Sequence, residues 1–570
     1  MGLLGSPALL FFGMGRVLEG LCLQALWIAL ALQILLPSAA DPDLWGHVLF
    51  GQRLLHGELP MVNGLAYTAA DHPWINHELA AEAAMAATYR AAGPAGLIAL
   101  KVLLALASLG LVWRSARRRS GDAWAATIAT IAAAEVMAPG FMIRPQLFTL
   151  LFLALTCELL ARAEYRARAW AWGVPPLVVL WVNTHGGVLA GVGLSALAIV
   201  AGLTVPAWRR ELGAGAFVAA ATFLAALAAA LTMNPFGPAL PRFLLSDVTP
   251  RVAITEWAPV SLGDGSVLAF KAMALATGAW MLVSRRARLP EAVLVIVTAG
   301  AAVLHRRHIP LFAIVAAPVL AALLADAIAW ARRHADIGRS ARLLRPALVT
   351  ATALQLAVTA AIAWRSGGRI EVDPRIYPVQ ALGFLTENGI AGNVALPFDW
   401  GELGLWALPA GSKVAVDGRF TTAYPERLLE QAWRFMSGAP GWEDLLTQYP
   451  TDVVVASRTQ APARLLREHP DWEYVYSDPV SFVFLRKGPT QAATLARFHA
   501  HAFRYDAPPI ALEFPALARA DVAAQPAIVG RASESEMSGS ASELATAAVL
   551  AGAGRPAPPS SAAPLSRIRN

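Results

Sequence analysis

The sequence predicts an all-α polytopic membrane domain of about eleven transmembrane helices, followed by a small soluble α/β domain and a disordered C-terminal tail. Three observations carry this reading. Of the 570 residues, 56% are hydrophobic and only 15% charged, against about a quarter charged in soluble chains. Apolar windows recur through residues 1–365. From Asp373 to Lys487 the pattern turns into that of a soluble domain. The expected division is a membrane domain at 1–365 with an external loop at 41–94, an α/β domain at 373–488, a linker at 489–515 and a tail at 516–570. In that tail Ala, Ser and Pro accumulate and periodicity is lost.

The first apolar run, Val17 to Ala40, is long enough at about 1.5 Å per residue to cross a bilayer. No cleavable signal is apparent, so it reads as an uncleaved anchor. Further windows follow at Ala95 to Trp113, Asp122 to Pro139, Leu147 to Leu160, Trp170 to Val182 and Gly187 to Val205. Others cover Gly213 to Met233, Ser266 to Val283, Ala292 to Leu304, Pro310 to Trp330 and Pro346 to Trp364. Several are shorter than the ~20 residues of an average span.

The net charge of +7 would suggest nucleic acid in a soluble protein. Here the arginines lie between apolar runs, which is the pattern of membrane topology, so no nucleic-acid partner is expected. Alternate connections carry the excess: Arg114 with Arg117 to Arg119; Arg162, Arg166 and Arg168; Arg209 and Arg210; Arg285, Arg286 and Arg288; and Arg332 to Arg345. This predicts a cytoplasmic N-terminus, with the 41–94 loop and everything beyond Trp364 on the other side. Cys22 and Cys157 both fall inside predicted spans, so neither a disulfide framework nor a Cys-based metal site is available.

Chemistry concentrates between Asp41 and Glu82. Asp41, Asp43 and His47, then Asn76-His77-Glu78, are more ionisable groups than a connecting loop beside lipid needs. Asp41-Pro42 also reads as a helix start, and Asn76 as the cap of a helix beginning at His77. Arg144, Arg251 and the Arg306-Arg307 pair stand on the side where cations are disfavoured. Guanidinium groups hold phosphate with two-bond geometry, one reason to keep them there; anchoring to lipid headgroups is the other. His305 and His308 flank the pair, and Asn183-Thr184-His185-Gly186-Gly187 interrupts an apolar hairpin.

In the soluble part, strand-like runs at Val394 to Pro397, Val414 to Val416, Val453 to Ala456 and Phe482 to Leu485 alternate with helical patterns. The helical patterns cover Pro378 to Glu387, Tyr424 to Phe435 and Ala461 to Arg467. Asp399-Trp400-Gly401 and Asp417-Gly418-Arg419 follow predicted strands, where α/β sheets place ligand loops. Plain turn chemistry explains such pairs as well.

The blocks DPDLWGH, HPWINHE, RPQLFTL, WVNTHGG, MNPFGP, TEWAP and RRHIPLF, spread over residues 41 to 317, resemble an uncharacterised branch of the bacterial type-C (GT-C) glycosyltransferases. These are relatives of the protein O-mannosyltransferases and the Rgt-like lipopolysaccharide sugar transferases. FDWGELGLW, KVAVDGR and YPTDVVV resemble that branch's C-terminal domain. The chain departs at Trp45-Gly46, where the branch usually shows two aromatics.

The resemblance implies a GT-C-like fold in the bacterial inner membrane and a polyprenyl-phosphate-linked sugar as donor. The implied partners are membrane lipid and a glycan, lipid or protein acceptor outside the cytoplasm. Asp43 or Asp41 would be the base that deprotonates the acceptor hydroxyl. Arg144, Arg306 and Arg307 would meet the departing phosphate, and His47, His77, Glu78 and His185 would bind or orient substrate. No residue is assigned as a metal ligand, although a shared divalent ion also suits these groups. Two readings from other classes stand beside this one: a transporter or lipid flippase, and a membrane anchor displaying the α/β domain as a binding module. The first expects ionisable groups near mid-span and repeat symmetry; only Lys101, Glu135 and Glu158 come near that, and no half mirrors the other.

Overall fold

The computed structural model describes residues 7–206, 210, 213–246, 255–334 and 340–505. The predicted tail at 516–570, Arg251, Arg209 and Arg339 lie outside them.

All eleven apolar windows form helices. They begin with α1 (Pro7–Leu35), and the 41–94 segment adds α2 (Leu44–Leu55). There follow α3 (Leu79–Ser120), α4 (Ala123–Met137), α5 (Gln146–Arg162), α6 (Val174–Val182) and α7 (Val188–Leu203). Later windows give helices at Gly215–Leu231, Leu268–Val283, Leu289–Leu304, Ile309–His334 and Ser340–Ser366. The count of spans differs from expectation. Among the described residues six helices are long and apolar enough to cross a membrane. Others are only 9 to 17 residues long, and a 16-residue helix rises only about 24 Å against a hydrocarbon core of about 30 Å. Local chemistry sets these lengths: Pro175 and Pro176 open α6, and the turn at 183–187 cuts it from α7.

Two breaks shape α3. Its backbone leaves helical geometry at Ala92 and Gly93, where φ of +58° suits glycine, and Pro94 restarts it. The arm before the break packs on α2, and the arm after it enters the bundle. Gly121 at φ +73° ends the helix, and Asp122 caps α4 by accepting from Ala125 N at 3.0 Å. The bundle core is close-packed around Ala-rich faces: Ala129 and Ala133 meet Leu109, Leu153, Phe312 and Ala316, all buried.

Residues 393–486 form a five-stranded sheet in the order β2-β1-β3-β5-β4. The strands are β1 (Asn393–Ala395), β2 (Lys413–Val414), β3 (Val453–Ser457), β4 (Trp472–Ser477) and β5 (Ser481–Arg486). The first three are parallel, and the hairpin of β4 and β5 adds antiparallel to β3. Four strands lie where the apolar runs predicted them. β4 was missed, although Trp472, Tyr474 and Tyr476 alternate as a strand requires. Within 489–515, Ala492–His499 is helical, and Phe503 and Tyr505 pack on Phe384.

The 41–94 segment and the sheet domain share their cores. Trp45, Val48 and Met85 are buried with Leu382, Val394 and Leu403. Phe50, Ala66 and Trp74 are buried with Ala415, Tyr424 and Val454. Backbone bridges join Ala66 to Val414 and Ala39 to Glu371. Asn63 Nδ2 donates to Ala423 O at 3.0 Å.

Candidate functional site

Asp41 does not start α2. Its Oδ1 turns back to accept from Asp43 N at 3.1 Å, so the helix begins at Leu44 with Asp43 immediately before it. Asn76 likewise accepts from Glu78 N at 2.9 Å, and α3 begins at Leu79 rather than His77. Both asparagine-like turns carry their ionisable neighbours to one end of the bundle.

Arg144 organises the first half of the site. Its Nε lies 2.5 Å from Asp41 Oδ1, and its terminal amino groups lie 3.0 Å from Asp43 Oδ2 and 3.7 Å from Glu256 Oε2. Glu256 reaches onward to Arg307 at 3.9 Å, and the Arg307 guanidinium sits 4.5 Å above the Trp257 ring. Arg306 turns instead to Asp264 at 2.5 Å. Asp41 is 7% exposed, while the Asp43 side chain keeps 28% of its surface open. Partial burial raises the Asp43 carboxyl to about 6, with Asp41 adding to the effect and Arg144 opposing it.

The second half gathers around Glu78. His47 Nδ1 lies 3.7 Å from it, His77 Nε2 3.7 Å and His185 Nε2 3.6 Å. Burial would raise the Glu78 carboxyl, but His77 and His47, with Arg144 beyond them, outweigh it and hold the group below its usual range. His47 is also 3.4 Å from Glu82 Oε1, and Asn76 Nδ2 donates to the other Glu82 oxygen at 2.6 Å. Burial opposes a charge on His47; the Glu82 hydrogen bond and the charges of Glu78, Glu82 and Asp43 prevail and raise it to about 9. His185 behaves oppositely. Burial lowers it to about 3. The Gly187 amide donates to its Nδ1 at 2.9 Å, so the neutral ring carries its proton on Nε2, toward Glu78.

The sheet domain closes the site from above. The segments after β1 and β2, which carry Asp399-Trp400-Gly401 and Asp417-Gly418-Arg419, reach the start of α2, a contact that the sequence did not predict. Glu402 Oε2 accepts from Gly46 N at 3.1 Å. A Cβ on Gly46 would stand 2.1 Å from that oxygen, and one on Gly418 would stand 2.4 Å from Asp43 Oδ1. This gives the missing second aromatic a physical reason: a side chain at 46 would displace Glu402. Burial, with Asp43 and Asp417 nearby, raises the Glu402 carboxyl well above its usual range. Behind it Arg419 bonds Asp417 and Asn63 at 2.6 and 2.7 Å, buried between the Phe50 and Trp74 rings.

Of the predicted site residues, Asp41, Asp43 and Arg144 form one network that reaches Arg307 through Glu256, and His47, His77, Glu78 and His185 form a second. Arg306 joins neither. Glu82, Glu256 and Glu402 were not singled out, although each lies in a segment that was. Their roles depend on partners about 35 to 360 positions away, which spacing along the chain does not reveal. A cleft of about 260 Å³ opens beside Asp41, lined by Ile34, Phe141, Met142 and Lys101. The His47, Glu78 and Glu82 ligand atoms all lie within 4.8 Å of one another.

No family model and no curated protein matches the chain. Among solved structures, the Archaeoglobus fulgidus oligosaccharyltransferase, crystallised tethered to an acceptor peptide with the NVT sequon, aligns at a TM-score of 0.48 and 15% identity. The alignment covers 82% of this chain and 74% of that one.

Proposed function

We propose that the protein is an integral-membrane glycosyltransferase that moves a sugar from a polyprenyl-phosphate donor to an extracytoplasmic glycan, lipid or protein acceptor. The observation that carries this reading is the Asp43 carboxylate, partly open and raised to about 6, held 3.0 Å from the Arg144 guanidinium, whose other partner Asp41 lines a cleft. A base of that strength is half ionised near pH 6 and accepts a proton at neutral pH.

In the reaction, Asp43 takes the proton of the acceptor hydroxyl as its oxygen bonds to the anomeric carbon. The bond from that carbon to the phosphate oxygen breaks, and the electron pair leaves with the phosphate. Arg144, and Arg307 reached through Glu256, supply positive charge to the leaving group. Ile34, Phe141 and Met142 offer an apolar wall to the first prenyl units. Asp41 positions Arg144, and Glu402 fixes the start of α2.

A divalent cation fits the two carboxylates and imidazole of Glu78, Glu82 and His47. Bound there, it would add positive charge for the phosphate. The cation would have to displace the proton on His47, so its affinity rises with pH.

The test is transfer from a prenyl-phosphate sugar by the purified full chain, measured against a panel of lipid, glycan and peptide acceptors. Product from wild type and none from Asp43→Asn is the expected result. Consumption of no prenyl-phosphate sugar by the wild type across the panel would overturn the reading.

A further inference from the structure

A second cavity lies at the opposite end of the bundle from the Asp43 site. It measures about 1070 Å³ and is lined by Arg114, Arg118, Arg119, Arg162, Arg166 and Arg288. Between the break in α3 and Arg119 there is roughly 38 Å of helix, so the two sites are a membrane thickness apart.

The arginines are held in place by buried carboxylates. Glu158, 3% exposed, accepts from Arg118 at 2.7 and 2.5 Å and from Arg162 Nε at 2.7 Å, with Arg114 at 3.4 Å. Glu291, 7% exposed, accepts from Arg119 Nε at 3.0 Å on both oxygens, with Arg288 at 3.8 Å. Among the described residues, six guanidinium groups thus face three carboxylates, Glu158, Glu164 and Glu291, so positive charge predominates at the cavity. Arg162 uses only Nε on Glu158, and its guanidinium is braced 4.7 Å over Trp170, leaving both terminal amino groups for a ligand.

The opposite wall is apolar. Leu294, Ile314, Val315 and Val319 line it from two helices, and Pro318 between them has no amide hydrogen to give the Ile314 carbonyl. Folding alone does not call for this combination. Three carboxylates would be neutralised by three arginines, and crowding further guanidinium groups beside them costs stability unless an anion joins them.

We propose that this cavity binds a phosphate ester carrying an apolar chain, with the phosphate on Arg118, Arg119 and Arg162 and the chain along Ile314, Val315 and Val319. The planar two-bond donor geometry of arginine suits phosphate oxygens. The apolar wall excludes a purely soluble anion as the preferred ligand. The source is either bulk anionic phospholipid or a prenyl phosphate.

The experiment titrates the delipidated full chain in detergent with phosphatidylglycerol, phosphatidylcholine, a short-chain prenyl phosphate and inorganic phosphate, following bound stoichiometry by native mass spectrometry. One anionic lipid should bind per chain at least tenfold tighter than phosphatidylcholine. Arg162→Gln, which leaves Glu158 two arginine partners, should weaken it about tenfold, the loss of one charge-assisted contact. Val315→Trp, which fills the apolar side without touching a charge, should weaken it as well, so the proposal remains testable if the arginine variant misfolds. Arg53→Gln, at an exposed pair on α2, and Asp43→Asn should leave it unchanged. Tighter binding of the prenyl phosphate than of phosphatidylglycerol assigns a prenyl phosphate as the source, and the reverse order bulk anionic phospholipid; both uphold the site. Equal binding of anionic and zwitterionic lipid, equal binding of inorganic phosphate, or wild-type affinity in both variants would overturn it.

Discussion

At the residue scale the two aspartates have different work. Asp41 is buried and spends one oxygen on Arg144 and on the Asp43 amide. Asp43 remains partly open, so it is the one placed to meet an acceptor. Asp43→Asn should therefore lower turnover by ~10²–10⁴, the usual cost of losing a positioned base. Asp41→Asn should be milder, because an amide oxygen still accepts from the Asp43 amide. Wild-type activity should climb with pH through about 6 as Asp43 ionises, and steady-state rates across that range check it. His47 acts on stability instead. Its folded value of about 9 lies above the ordinary 6.5, so its contribution is fully present below about pH 6.5 and lost as pH rises through 9. Melting temperatures of wild type and His47→Gln should converge as pH rises toward 9. The arginine pair also divides. Arg307→Ala should raise KM for the prenyl-phosphate donor, while Arg306→Ala, which frees Asp264, should chiefly lower stability. Lysine at 307 should rescue only in part, since ammonium lacks the planar two-bond contact.

At the element scale the site depends on how closely α2 and α3 approach. A Cβ on Gly51 would stand 2.0 Å from the Glu82 carbonyl, which belongs to backbone and has little freedom to move. Gly51→Ala should push the helices apart, cost about 1–3 kcal/mol, and draw Glu82 away from His47. Chemical denaturation measures the first effect, and the pH dependence of stability near His47 the second. This contact also marks what the sequence made legible. Apolar run length gave eleven of the described helices, though not Ala239–Ser246, and apolar runs gave four of five strands, because burial leaves a local periodic signature. The site's first residues, Asp43, His47, Glu78 and Arg144, stood out because charge beside lipid is costly. Glu82, Glu256 and Glu402 did not stand out. Each is an ordinary acid in the sequence until folding brings it to Gly46, Arg144 or His47.

At the scale of the whole molecule, the cores shared between the 41–94 segment and the sheet domain constrain topology more strongly than helix length does. Residues 41–94 and 370–485 are packed together, so the chain between them must cross the membrane an even number of times. The long apolar helices alone give five crossings in that interval, an odd number. We therefore predict that at least one shorter helix crosses too, its hydrophobic mismatch taken up by a locally thinner bilayer or by flanking side chains that reach the interface. The contacts show which helices run from end to end. Ion pairs tie Arg332 to Asp122, Arg118 to Glu158, Arg119 to Glu291 and Arg286 to Asp326 at one end. At the other, Arg144 meets Asp41 and Glu256, Arg307 meets Glu256, His185 meets Glu78, and Asn183 Nδ2 donates to Met233 O. Successive connections therefore alternate between ends, the short helices included. Reporter fusions decide the outcome. Fusions near Gly64 and near Gly441 should both report the extracytoplasmic side, while fusions near Arg119, Arg166 and Arg286 report the cytoplasm. Opposite sides for Gly64 and Gly441 would contradict the shared core, and cytoplasmic activity at both would invert the whole arrangement.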